Sequence, residues 1–160
     1  KKDLGKILKI HFGGRGSSCK YIAFSDDGFE AIGMKPDFKI DKSNFEHSCW
    51  QDKIAKHFEK DCKVEKEKIL RAKGRKKSID VALETENGII AIEVAMTSAY
   101  EKKNIIRDLE AGCIRVIVAC KNEKVLEEVK EIIRGLNSEM QPKAKACLLT
   151  EIIKLSLKDI

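Results

Sequence analysis

With 160 residues, 42% of them hydrophobic and 36% charged, the chain is long enough to bury a core and too apolar to stay disordered. No apolar run approaches the roughly 20 residues that a membrane span requires, so no spanning segment is expected. The net charge is +6, and its distribution is more informative than its size. Between Lys60 and Lys77 lie nine basic and three acidic residues, an excess equal to the whole net charge. Such a stripe on a neutral body is the electrostatic footprint of a phosphate-backbone binder. A strand and loop kept soluble by lysines would carry the same composition.

Six cysteines occur without any C-x-x-C pair, which argues against zinc. Their apolar neighbours suit reduced thiols and a reducing, cytoplasmic setting. The amino end, Lys1 to Gly5, has neither an initiator Met nor a signal-peptide core, and predicts a piece of a larger polypeptide.

In chain order, residues 7–12 and 19–24 are expected to form two strands joined by the glycine-rich turn Gly13-Gly14-Arg15-Gly16. Ser25 then opens a short helical turn with Phe29 and Ile32 inward, closed by Gly33. A strand with Tyr21 leading into Ser25-x-x-Gly28 resembles the wing of winged-helix proteins over residues 7–33, although an ordinary hairpin suits the same residues. Residues 34–44, with Pro36, are expected to link this segment to a domain spanning 45–160. There Ser43-x-x-Glu46 predicts a capping box opening a helix to about Lys60, with Phe45, Trp50, Ile54 and Phe58 on its buried side.

A basic strand follows from Cys62 to Leu70, then a strand from Ser78 to Glu84 with Asp80 on the face opposite Ile79, Val81 and Leu83. Asn87-Gly88 marks a hairpin turn, and Ile89 to Val94 a largely apolar strand. Ser98-x-x-Glu101 predicts another capping box, on a helix ending at Gly112. Ile114 to Ala119 is a short strand buried on both faces, Asn122 caps a helix carrying Val125, Val129, Ile132 and Leu136, and Ala144 to Leu149 is a last strand. Ile152, Ile153 and Leu155 predict an exposed amphipathic tail helix. The fold class expected is α/β: a mixed sheet flanked by helices in the order α-β-β-β-α-β-α-β, preceded by a β-hairpin.

Glu93 stands among Ala91, Ile92, Val94 and Ala95, and a carboxylate in such surroundings needs a counter-charge. The hairpin turn folds its strand against that of Asp80. Two clustered acids repel unless a proton or cation lies between them, and a hard divalent ion suits an all-oxygen pair. Alternatively, each acid pairs with a lysine of the basic strand and is structural.

The topology over about 45–120, with Ile79-Asp80-Val81 and Ile92-Glu93-Val94-Ala95, resembles the PD-(D/E)xK, or restriction-endonuclease-like, nuclease superfamily. It also resembles the domain of that kind appended to mobile-element or conjugation ATPases. The resemblance implies a Mg²⁺- or Mn²⁺-dependent endonuclease in which Asp80, Glu93 and the Val94 carbonyl bind metal. The lysine expected two residues after the Glu is replaced by Ala95, so its role falls to Lys66, Lys68, Lys77 or Lys103, with Lys77 taken as the catalytic candidate. Glu46 matches an extra acid that some members carry in the first helix. DNA would lie on Lys66, Lys68, Arg71, Lys73, Arg75, Lys76 and Lys77. A catalytically inactive DNA-binding module of the same fold is the alternative. A protein-interaction domain, favoured by the tail helix, is a third reading, and a homodimer is left open.

Overall fold

A computed structural model of the chain describes residues 4–11, 18–33, 42–72 and 75–160. The expected Gly13–Gly16 turn, most of the 34–44 linker and Lys73 lie outside the described residues, as do the side chains of Arg71, Arg75, Lys76 and Lys77. The chain forms two compact units, residues 1–48 and 49–160. Among the described residues no helix is long and apolar enough to cross a membrane.

The first unit is built on an antiparallel hairpin of β1 (Gly5–His11) and β2 (Ser18–Phe24). Alternation turns Ile10 inward, while Ile7 and Ile22, cross-strand partners, are both exposed. Helix α1 (Asp26–Ala31) follows, with the Ser25 hydroxyl capping the Gly28 N–H at 3.1 Å as its sequence predicts. Gly28 is required there: a Cβ would lie 2.0 Å from the Leu4 carbonyl oxygen. Phe29 packs edge-on against Phe24, but Ile32, expected inward, is the C-cap and 48% exposed. A helix of only six residues leaves that position past the turn that faces the strands.

Helix α2 (Lys42–Phe58) crosses from the first unit into the second. It begins before Ser43, which therefore lies in its first turn and not ahead of it. Trp50, Ile54 and Phe58 are buried as the 3.6-residue period predicts.

The second unit is a five-stranded mixed sheet in the spatial order β3 (Lys63–Ala72), β4 (Arg75–Thr85), β5 (Gly88–Ala95), β6 (Arg115–Cys120), β7 (Ala144–Leu148). The first three strands run antiparallel through tight connections, and β5, β6 and β7 run parallel. Helices α3 (Glu101–Glu110) and α4 (Glu123–Arg134) supply the crossovers that parallel neighbours need. At the β4–β5 turn Gly88 adopts φ +134°, and a Cβ there would press into Ile114 at 2.7 Å. One core joins Ala91, Ala95, Val116, Val118 and Cys120 of the sheet to Ile105 of α3 and to Val125, Leu126, Val129 and Ile133 of α4. The alternate residues Val81, Leu83, Ile90, Ile92 and Ile117 are equally buried, so the sheet is covered on both faces.

Two helix ends depart from expectation. Helix α3 is capped by Tyr100 without a side-chain hydrogen bond, and the Ser98 hydroxyl donates to Glu128 instead. The tail helix, α5 (Leu149–Ile152), has four residues, and Leu149 and Ile152 are buried. It offers no exposed amphipathic face, because its apolar residues complete the domain core.

Candidate functional site

The β4–β5 ladder runs from Thr85 opposite Gly88 to Val81 opposite Ile92, and there it stops. Beyond that point β4 continues against β3, and β5 continues against β6. The next register position would set Asp80 opposite Glu93, so the two acids stand where the strands part. Asp80 lies near enough for its charge to act on Glu93. Where the ladder ends, the Asp80 carboxylate takes over its role and accepts from the Val94 N–H at 2.7 Å. The Ala95 carbonyl accepts from Lys121 on the β6 side, so alternation along the strand turns the peptide groups of Val94 towards β4.

The β3 side mirrors this fork. Lys66 pairs with Val81 and Lys68 with Ile79, but Glu67, between them, makes no ladder pair opposite Asp80. Its φ of +50° lies in the left-handed region, a conformation that costs a non-glycine residue about 1 kcal/mol or more. From α2 the buried Gln51 amide donates to a Glu67 carboxylate oxygen and, at 3.1 Å, to Asp80 Oδ1. Glu67, Asp80 and Glu93 thus lie on three adjacent strands, with Glu67 and Asp80 joined through Gln51.

Helix α3 supplies the other wall. Arg107 reaches Glu93 with Nη2 at 3.0 Å, Asp108 with Nε at 2.6 Å and the Asn104 side-chain carbonyl with Nη1 at 3.0 Å. Glu101, expected to fold back on Ser98 as a cap, is buried instead, and its side chain is hydrogen-bonded to Asn104. One oxygen each of Glu101 and Asp108 is buried without a hydrogen-bond partner among the described residues.

Negative charge is in excess here. Burial, then the charges of Asp80 and Asp108, push the Glu93 carboxyl well above its ordinary range, against the pull of Arg107. Burial raises Glu101 to about 7, with Asp80 contributing and the Asn104 hydrogen bond opposing. Asp108 is also raised by burial, while its bond to Arg107 opposes the shift. Among the described residues Arg107 bonds two of these acids, Glu93 and Asp108. Clustered all-oxygen donors fit a hard divalent cation held by a few protein ligands and waters. Among the described residues no three His, Cys, Asp or Glu side chains converge as a ready-made metal cage. Gln51 and Arg107 are bonded to the acids that would form one.

Two of the four lysines expected to serve this site are engaged elsewhere. Lys66 pairs with Asp52, and Lys68 with Glu65 at 2.6 Å and Glu84 at 2.7 Å. Lys103 is exposed on α3, and the Lys77 side chain lies outside the described residues. Glu46 belongs to the first unit. Ala95, at the motif-lysine position, is buried in the core. The sequence reading missed Arg107, Gln51, Glu67 and Glu101. Glu101 carried a usable signal, since with Ile105 and Asp108 it follows the i, i+4, i+7 spacing of one buried helix face. A groove of about 1260 Å³ lies at the other end of the hairpin, lined by Asn87, Ile114 and Leu157. It contains none of these acids, so the convergence of charge, not cavity size, marks the candidate site. Comparison with protein-family models, with curated proteins and with solved structures finds no match to this chain.

Proposed function

We propose that the 49–160 unit is a metal-dependent, restriction-endonuclease-like domain that hydrolyses phosphodiester bonds in DNA in the cytoplasm. The observation that supports this reading is the strand fork, where Asp80 is anchored on the Val94 N–H and its charge acts on the buried Glu93. Asp80 and Glu93 would hold Mg²⁺ or Mn²⁺, with the Val94 carbonyl on the same strand edge. Such an ion, when bound, neutralises phosphate charge and lowers the pKa of a coordinated water. The protein's own contribution is positional. The Val94 N–H fixes the Asp80 carboxylate, and Arg107 fixes Glu93 and offsets its charge. The basic segment between Lys63 and Lys77 would carry the DNA backbone.

A second reading, a non-catalytic DNA-binding module of the same fold, is favoured by one contact. Arg107 already occupies a Glu93 oxygen, and Ala95 supplies no amine. Plasmid nicking with and without Mg²⁺ or Mn²⁺ separates the two. Metal-dependent nicking by the wild type, abolished in Asp80→Asn and in Glu93→Gln with folding retained, is the expected result. DNA binding without nicking on varied substrates establishes the module instead, and equal nicking by all three proteins assigns the activity to another source.

A further inference from the structure

We infer that Glu67 and Gln51 belong to the same divalent-cation site as Asp80 and Glu93, with Glu67 as its solvent-side carboxylate and the Gln51 amide keeping the cation's place in the cation-free protein. This inference rests on the reading of Asp80 and Glu93 as cation ligands.

Glu67 and Asp80 are like charges brought to one buried amide, and such charges repel unless a proton or cation lies between them. A fold that needed only the sheet would gain by a neutral residue at position 67. Instead Glu67 is held at φ +50°, where Asn or Gly fits better, and its carboxylate is tied to Asp80 through one buried amide. That amide donates to both acids, as a cation between them would attract both. A carboxamide has two ends: its N–H groups satisfy carboxylates when no cation is present, and rotation about its terminal bond offers an oxygen to a hard ion.

An independent observation points the same way. Glu101 is 6% exposed, has one oxygen without a partner among the described residues, and lies in the field of Asp80. Buried oxygens in native proteins are paired as a rule. An unpaired one beside these acids marks charge that the resident Arg107 does not satisfy.

The test is Mn²⁺ binding to the full chain without DNA, followed by the electron paramagnetic resonance of the free ion. Glu67→Gln is expected to weaken Mn²⁺ by about tenfold or more, and Gln51→Leu to weaken it similarly. Glu67→Asn, suited to the left-handed backbone, is expected to keep the fold by circular dichroism and still lose affinity. Glu84→Gln removes the same charge from an acid bonded to Lys63 and Lys68, and is expected to leave Mn²⁺ affinity unchanged. If Asp80→Asn loses Mn²⁺ while Glu67→Gln and Glu67→Asn bind as the wild type does, the inference is overturned and the Asp80–Glu93 reading stands. If the wild type binds no Mn²⁺, both fall. Mn²⁺ binding weakened by the Glu67 variants in a protein that does not nick DNA supports the inference and removes the nuclease reading.

Discussion

Arg107 makes the three-way contact on which the buried acids depend. Its guanidinium, with the side chain 18% exposed, holds Glu93 and Asp108, whose side chains are 5% and 1% exposed. Removing one partner of a buried pair leaves the other charge uncompensated, which is costlier than never having built the pair. Arg107→Met is therefore expected to destabilise the protein by about 3 kcal/mol, measured by urea unfolding. Adding Glu93→Gln to that variant should recover part of the loss, because a neutral amide needs no counter-charge. Equal stability of Arg107→Met and wild type would mean that both acids are protonated and the pair contributes nothing. Asp80 and Glu93 were legible in the sequence because each interrupts an apolar period on a strand. Arg107, Gln51 and Glu67 were not, since a charged or polar residue on a helix or an edge strand reads as solvated until the fold brings it inward.

Among elements, strands were the most legible, because period-two alternation and the Asn87-Gly88 turn mark where they lie, although β4 begins at Arg75, ahead of the expected Ser78. Helix starts were less so. Ser98-x-x-Glu101 has the letters of a capping box, yet its serine bonds to Glu128 and its glutamate is buried beside the Asp80 site. Local pattern cannot reveal such a tertiary competitor. The β3–β4 pair carries its own electrostatic support: Glu84, opposite Lys63 in register, accepts from Lys63 and Lys68 and is lowered to about 2 by those hydrogen bonds. A depressed carboxyl contributes stability above its unfolded value, here the ordinary 4.5, and loses it as pH falls from there towards about 2. The melting temperature of wild type should accordingly fall more steeply across that window than that of Glu84→Gln, and the two curves should converge at its acid end. Parallel curves throughout would show that Lys63 and Lys68 do not hold Glu84.

At the scale of the whole molecule, the charge excess and its location decide how DNA would be bound. The basic segment holds the entire net charge by composition, but Lys63, Lys66 and Lys68 are each bridged to an acid. A lysine whose charge is cancelled by a neighbouring carboxylate attracts few counterions and releases few on binding a phosphate. The other cations expected to meet a DNA backbone are Arg71, Lys73, Arg75, Lys76 and Lys77. Every cation removed from a phosphate should reduce the slope of log affinity against log salt by about 0.9 for duplex DNA. Replacing Arg71, Arg75 and Lys76 together by Gln is expected to lower that slope by roughly two to three, at about 0.9 for each phosphate released. Replacing Lys66 and Lys68 should lower it by less than one such increment, because their charges are already neutralised. Fluorescence anisotropy of a labelled duplex across a salt series measures both. If the Lys66 and Lys68 pair changes the slope as much as the arginine-containing triple, those salt bridges open on binding and β3 itself lies on the DNA. If neither changes it, the stripe is a solvated surface and DNA is held elsewhere.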